Sequence, residues 1–474
     1  MKSRDMSTRR GVIWFWISLG AALFASRASH LNVLWADEDY HLAAAIQMLH
    51  GKMLYRDLWY DKPPLNALVA LLFGAWPGWP LRIAGTLIAL AGCALSFRFA
   101  SRLWSRTEGF YAAALLAFFL IFYSAPATIP LEPDTLMIVP HLGAVYLAWR
   151  QKPLAAGVTA GITFLLNAKG LFVLAACVVF MPAGSLLLVA GFLLPNAVVL
   201  GWLAWQGALP NYFFDVWRWG LLYAGAPPEN IRGAGAAVLG WFGFHAALVV
   251  GAVLFWRDGI ERRRLAIWVA ISLITVAIGW RFLPRYFNQV LPVLTIIAAR
   301  GISLRREHWV RAALVVALIV PLIRFGPRYV ELAADDLAGR AHAWRDVAMD
   351  QESRATADLI RGMMREGDTI FVWGYRPNVI VYTRLPVASW LWDSQPLTGV
   401  PADRHLSESK PVAPAEENRR QLVQTSPTFL VDGLSAYNPQ LDIHNYSDLA
   451  DWLRRYCTAG RVGATTVYRL CAKP

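Results

Sequence analysis

WADEDYHLAAAIQMLHGKMLYRDLWYDKPP, residues Trp35 to Pro64, is the stretch on which the reading of this chain turns. It follows directly on the first long apolar run. It carries Asp37, Glu38, Asp39, Asp57 and Asp61, then Lys62 ahead of Pro63-Pro64. The two prolines fix the backbone and open the next helical stretch. Between the charges, Tyr40, Leu42, Ile46 and Leu49 read as an amphipathic helix lying along a membrane surface. Such a helix pins the acidic turn at the interface, where partial desolvation makes Asp37 a stronger base than a free aspartate. Carboxylates at one end and an ammonium at the other suit one kind of chemistry. An acid/base group deprotonates an acceptor while a cation holds a lipid-linked phosphate.

The rest of the chain supplies the membrane. Its 474 residues are 57% hydrophobic and 16% charged, with 22 Trp, whereas soluble domains carry about 25% charged residues. The formal net charge of +13 does not call for nucleic acid. The basic residues sit in short loops between apolar runs, at Arg9-Arg10, Arg102–Arg106, Arg150–Lys152, Arg257–Arg264 and Arg300–Arg311, which is the positive-inside pattern. The first run, Gly11–Ala25, follows a basic tip like a signal peptide. Its hydrophobicity continues towards Trp35, so it reads as an uncleaved span.

Apolar runs predict spans near 11–33, 80–101, 109–126, 135–149, 154–167, 170–182, 184–205, 237–256, 265–280, 287–300 and 310–325. This is an all-α polytopic membrane bundle of about eleven transmembrane helices. With the N-terminus in the cytoplasm, each arginine-rich loop falls inside. The loop 35–65, the Glu132-Pro133-Asp134 and Lys169 turns, the loop Gln206–Gly235 and the Arg281–Gln289 turn fall outside. Charge bias favours splitting 154–167 from 170–182, because a single helix there would place Arg257–Arg264 outside.

After about Phe325 the long apolar runs stop. The two domains are therefore expected at 1–325, spanning the membrane, and 326–474, a small extracytoplasmic α/β domain. Within the latter, Glu352–Arg365 and Ser447–Tyr456 read as helices. Thr369–Gly374 and Thr428–Gly433 read as buried strands closed by glycine, and Val462–Leu470 as a closing strand or hairpin. Cys457 and Cys471 are either a disulfide pair outside the cytoplasm or two small buried residues. Cys93 and Cys177 read as packing residues. No P-loop, Rossmann fingerprint or CxxC pair is present.

Each candidate has a bland alternative. Asp37 and Glu38 are catalytic candidates, or else hydrated loop acids. Lys62, supported by Asp61, holds a phosphate or snorkels to the interface. Arg82, near the outer end of the second span, is a second phosphate ligand, able to make two parallel hydrogen bonds. Glu132 and Asp134 orient a sugar, bind a metal, or pair with Lys62 or Arg82; ionisable residues at membrane depth tend to pair or to function. Lys169, between two short apolar helices, faces the outer cavity. Arg281, Arg285 and Tyr286 meet phosphate or form an interface belt. Trp217, Trp219 and Tyr223 stack on a sugar or anchor at the interface. His41, His50, His141 and His245 show no metal-ligand spacing.

In these elements the sequence resembles the membrane glycosyltransferases of the GT-C type, in particular the protein O-mannosyltransferase and lipid A aminoarabinose transferase superfamily. The resemblance rests on Asp37-Glu38, on YRDLWYDKPPL (Tyr55–Leu65), Arg82, the LEPDTLM turn (Leu131–Met137), Lys169-Gly170, and RFLPRYFNQVLP (Arg281–Pro292). It covers about the first 320 residues. Many relatives have His where Arg285 stands. The resemblance implies inverting transfer of one sugar from a polyprenyl-phosphate carrier to a protein, lipid or cell-envelope glycan at the outer face of a bacterial inner membrane. Asp37 would be the base, supported by Glu38, with Lys62 and Arg82 on the carrier phosphate. No nucleotide site is needed, and no cofactor is implied; a divalent metal is not always used in the superfamily. The rival readings are a transporter or flippase for a lipid-linked sugar, a metal-dependent oligosaccharyltransferase, and an inactive membrane scaffold.

Overall fold

The computed structural model describes residues 2–225, 231–256, 261–278, 280–305, 307–340, 342, 344–400 and 415–471. Parts of three expected loops, 226–230 of the Gln206–Gly235 loop, 257–260 of the Arg257–Arg264 loop and 306 of the Arg300–Arg311 loop, lie outside the described residues. The chain forms two compact units. One comprises Met1–Asn32, Gly78–Val198 and Asn230–Arg340; the other comprises Val33–Pro77, Val199–Glu229 and Ala341–Pro474.

The first unit is helical. Its helices begin where the sequence offers a start signal. Ser105 caps Arg106–Ile121 by accepting from the Thr107 amide, and its hydroxyl donates to the Glu108 carboxylate three residues on. Proline opens the Pro153–Leu166 helix and stands in the first turn of Trp79–Leu103 and Leu291–Ser303. Glu108 also accepts from Arg300 at 2.6 Å and Ser303 at 2.8 Å, tying two helices together. Glycine lets backbones meet. A Cβ on Gly301 would collide with the Gly251 carbonyl, and one on Gly251 would lie 2.7 Å from the Ala298 Cβ.

Among the described residues, four helices are long and apolar enough to cross a membrane: Arg10–Ala28, Trp79–Leu103, Pro182–Trp205 and His308–Ala338. A fifth arises if Gly233–Phe244 and Ala246–Phe255, bent by 73° at His245, form one span. Pro153–Leu166, Gly170–Phe180 and Leu291–Ser303 are apolar but shorter. The spans expected at 154–167 and 170–182 are separate helices, Pro153–Leu166 and Gly170–Phe180, with the break at Asn167–Lys169. The helices fall where apolar runs predict them, and fewer of them are of full spanning length than the eleven expected.

The second unit holds a four-stranded sheet of order β1-β2-β4-β3, with β1 Ile370–Trp373, β2 Phe429–Asp432, β3 Tyr456–Val462 and β4 Thr465–Leu470. β1 and β2 are parallel and fully buried; β4 runs antiparallel to both β2 and β3. The Cys457–Cys471 disulfide closes the β3–β4 hairpin. The helix expected at Glu352–Arg365 is Arg345–Arg361. That at Ser447–Tyr456 is only two short turns, Ser447–Leu449 and Ala450–Leu453, because Tyr456 is already drawn into β3.

The helix expected after Asp37 exists as Glu38–Leu49, but it does not lie on a surface. Glu38 through Gln47 are all buried. It packs on Leu65–Leu71 and Asn378–Thr383, both within the same unit. Ala43, Ala44 and Ala45 allow close approach on the faces an amphipathic helix would leave to water.

Candidate functional site

In the second unit, Asp37 is the N-cap position of Glu38–Leu49. Its φ of 81° and ψ of −46° lie outside the regions that non-glycine residues ordinarily adopt. Aspartate usually occupies this position because its carboxylate caps the helix; here it makes no capping bond. The strained backbone holds a carboxylate that the helix does not use. Glu38 turns back, with Oε1 accepting from the Trp35 amide at 3.4 Å. Asp39 is buried, its Oδ1 without a hydrogen-bond partner. Burial, with the charges of Asp37 and Glu38, holds that carboxyl well above the usual carboxylate range.

Lys62 pairs with Asp61 at 2.6 Å, and its ammonium lies 5.9 Å from the Tyr40 ring centroid. The Tyr55 hydroxyl donates to the Lys62 carbonyl at 2.8 Å. Burial works against the charged amine, but Asp61, Asp37 and Tyr223 more than offset it, and the pKa stands above the ordinary lysine value. The side chain keeps 31% of its surface exposed. An aromatic wall backs it. Tyr40 stacks on Tyr60 (5.2 Å), Trp392 (5.0 Å) and Tyr375 (5.8 Å). His41 shares a 2.6 Å hydrogen bond with the Tyr60 hydroxyl, and burial pushes its pKa down to about 3.

Three residues here carry no mark in the sequence. Asp215 sits in a π-helical turn, Phe213–Arg218, fully buried. Its Oδ2 accepts from the Tyr60 amide at 3.3 Å and its Oδ1 has no partner. Burial and the charge of Asp61 hold its carboxyl well above the usual range. Tyr375 follows Gly374, whose φ of 118° requires glycine. Burial and the charges of Asp37, Asp61, Asp39 and Asp393 raise the Tyr375 phenol well above its ordinary value. Those four carboxylates and a tyrosine thus share one neighbourhood, with Tyr375 and Asp393 supplied by the C-terminal segment. A glycine after β1 was the only available signal.

The first unit holds a second group. Lys169 Nζ lies 2.8 Å from Asp134 Oδ1 and 3.6 Å from the Tyr286 ring centroid. Asn167 and Gln289 each donate to the same Asp134 oxygen at 3.2 Å. Glu132 pairs with Arg285 at 3.5 Å. Pairing of these two acids is expected with Lys62 or Arg82; the ion-pair partners found are Arg285 for Glu132 and Lys169 for Asp134. Lys169 is a paired cation. Arg281 stands partly buried just ahead of the Pro284–Gln289 turn. Arg82 is buried in the first turn of Trp79–Leu103 and donates from Nε to the His30 carbonyl at 3.1 Å.

Among the described residues, one trio has metal-ligand proximity: Asp432, Asp442 and His444, with ligand atoms within 4.8 Å of one another. Their oxygens already accept from the Leu434, Ser435 and His444 amides and the Ser435 hydroxyl. That pattern is a locally satisfied turn.

No protein-family model and no curated protein matches this chain. Solved structures do. ArnT from Cupriavidus metallidurans bound to undecaprenyl phosphate superposes with a TM-score of 0.64 at 16% identity, over 98% of each chain. The same protein in the apo state gives 0.64 at 15%, over 98% of this chain and 100% of that one. An Archaeoglobus fulgidus oligosaccharyltransferase aligns with a TM-score of 0.49 at 13%, over 96% of this chain and 74% of its own. Over nearly its whole length the chain has the fold of ArnT, a lipid A aminoarabinose transferase. This is the kind of membrane protein its sequence resembles.

Proposed function

We propose that the chain is an inverting glycosyltransferase that moves one sugar from a polyprenyl-phosphate carrier to a protein, lipid or envelope-glycan acceptor at the outer face of the inner membrane. The reading is carried by the Lys62–Asp61 pair at 2.6 Å in the same compact unit as Asp37, whose charge also favours the charged Lys62 ammonium. The ArnT fold supports it, and the bound undecaprenyl phosphate of that structure is the carrier chemistry proposed here.

Asp37 takes the proton of the acceptor hydroxyl as the oxygen attacks the anomeric carbon. The bond from that carbon to the phosphate oxygen breaks, and the electron pair leaves with the polyprenyl phosphate. Lys62, kept charged by its carboxylate neighbours, stabilises the growing negative charge. Glu38 and Asp61 orient Asp37 and Lys62. The assignment of Arg82, Arg281 and Tyr286 to the carrier phosphate rests on the sequence resemblance. An extracytoplasmic C-terminal domain is supported by its disulfide, because such bonds persist in oxidising compartments.

The test offers purified protein in lipid a panel of polyprenyl-phosphate sugars and scores transfer or hydrolysis by mass spectrometry. Asp37→Asn should lower turnover by about 10²–10⁴-fold while carrier binding persists. Lys62→Ala should cost about 10²–10³-fold and weaken carrier binding as well. Unchanged transfer in Asp37→Asn overturns the assignment. Lys169, between two short apolar helices and paired with Asp134, favours a second reading as a transporter of the lipid-linked sugar. Movement of intact carrier across vesicles without sugar transfer would establish it.

A further inference from the structure

Two adjoining clefts in the first unit contain none of the residues assigned above. One, of about 420 Å³, is wholly apolar and is lined by Phe242, Val249, Val253, Val269, Leu273 and Leu294 among others. The second, also of about 420 Å³, is lined by Trp256, Arg262, Arg263 and neighbouring apolar residues. Trp256 is a wall of both. We propose that together they bind one anionic phospholipid, with its phosphate at Arg262 and Arg263 and an acyl chain in the apolar groove.

The groove follows from how the helices are held. Ala246–Phe255 packs on Leu291–Ser303, drawn close through Gly251 and Gly301. Arg262–Ala277 packs chiefly on Gly170–Phe180, with Trp268 buried at 6.0 Å from the Phe180 ring, and touches Leu291–Ser303 less extensively. Two consecutive helices with different main partners leave a furrow between them, lined by Leu294. In a bilayer an apolar furrow left empty forfeits dispersion contacts, and one filled with water exposes hydrocarbon. A lipid chain fills it at neither cost.

The arginines decide the headgroup. Arg264 is paired with Glu261 at 3.3 Å. Arg262 donates to the Trp256 carbonyl at 3.0 Å and lies 5.5 Å from that ring, fixed at the mouth. Arg263 has no ion-pair partner among the described residues. Guanidinium groups match phosphate oxygens, and basic pockets between membrane helices on the cytoplasmic side bind anionic headgroups. A polyprenyl carrier fits less well. With its phosphate near Arg281 and Tyr286, past the far end of a helix about 24 Å long, it would bring only hydrocarbon to the arginines.

Native mass spectrometry of the full-length protein, released from membranes into mild detergent, tests this. The expected result is one retained adduct with the mass of phosphatidylglycerol or cardiolipin. Arg262→Ala with Arg263→Ala should weaken its retention about 30-fold, from about 1 kcal/mol per arginine. Val269→Trp, which fills the furrow and keeps both arginines, should displace it. Added phosphatidylglycerol, but not phosphatidylcholine, should raise the melting temperature of the wild type and not of the double variant, so that a folding defect is visible. An adduct of polyprenyl-phosphate mass, a zwitterionic adduct indifferent to the arginines, or no adduct overturns the proposal. Sugar transfer by the double variant at saturating donor should equal that of wild type, which separates this outcome from any failure of the catalytic reading.

Discussion

Asp37 and Lys62 announce themselves because their chemistry needs sequence neighbours: an acid next to another acid at the end of a span, and a lysine before two prolines. Asp215 does not, because its meaning depends on a fold that brings residue 215 against the amide of Tyr60. In the chain it is one acid in an aromatic loop. Its burial makes a prediction with a definite sign. A carboxyl whose folded pKa is raised binds its proton more tightly in the folded state. Its contribution is fully present below the unfolded value of about 4 and is lost as pH rises through the raised folded value. Asp215→Asn mimics the protonated form. Relative to wild type it should gain thermal stability progressively as pH climbs above about 4, read as the difference in melting temperature across a pH series. A constant difference would show that Asp215 is ionised in the folded protein. His41 makes the complementary prediction. Held near 3 by burial, it is neutral throughout the range in which histidines ordinarily titrate. The activity profile between about pH 5 and 8 should therefore keep its shape in His41→Gln.

Among elements, helices and strands were legible where burial repeats with a simple period, and misread where tertiary packing takes over. The strands β1 and β2 are short apolar runs stopped by glycine, and they form as read. The Glu38–Leu49 helix was legible as a helix, but its polar residues suggested a wet face. The fold instead buries Glu38, Asp39, His41 and Gln47, and Gln47 earns its place by donating to the Leu385 carbonyl and accepting from the Val387 amide. The β3–β4 hairpin shows a different limit. The spacing of Cys457 and Cys471 left two readings open, and only the pairing register Tyr456↔Leu470 and Cys457↔Arg469 brings the thiols together. Closing a loop with a sequence separation of 14 is worth about 3 kcal/mol through the unfolded chain. Replacing both cysteines by serine should therefore speed amide exchange in β3 and β4 by about 100-fold. Unchanged exchange would mean that the disulfide does not restrain the open state from which these amides exchange.

At the scale of the whole molecule, the question is on which side of the membrane the C-terminal sheet lies, and the two short helices around Lys169 are one step in that parity. Pro153–Leu166 and Gly170–Phe180 have 14 and 11 residues. At 1.5 Å per residue they reach about 21 and 16 Å, less than the ~30 Å of hydrocarbon. Neither spans it alone, and an end-to-end helix would carry the chain to the opposite face. They are not end to end. They pack on each other, and Gly170 sits so close to the Thr163–Phe164 backbone that a Cβ would clash with it. The chain therefore reverses at Asn167–Lys169 and returns to the face it came from. The charge Lys169 carries into that bend is matched by Asp134 at 2.8 Å, as a group at membrane depth requires. Either as a re-entrant hairpin or as two thin spans, the parity is the same: Lys152 and the turn after Phe180 share a face. With the arginine-rich turns inside, the sheet is expected outside. Single cysteines placed at Lys152 and at Glu366, both exposed, test this against little background, since Cys93 and Cys177 are buried and Cys457 and Cys471 are bonded to each other. An impermeant maleimide applied to intact spheroplasts should modify position 366 and spare 152 until the membrane is broken. Labelling of both positions from outside, or of 152 alone, would reverse the topology and with it the assignment of sugar transfer to the outer face.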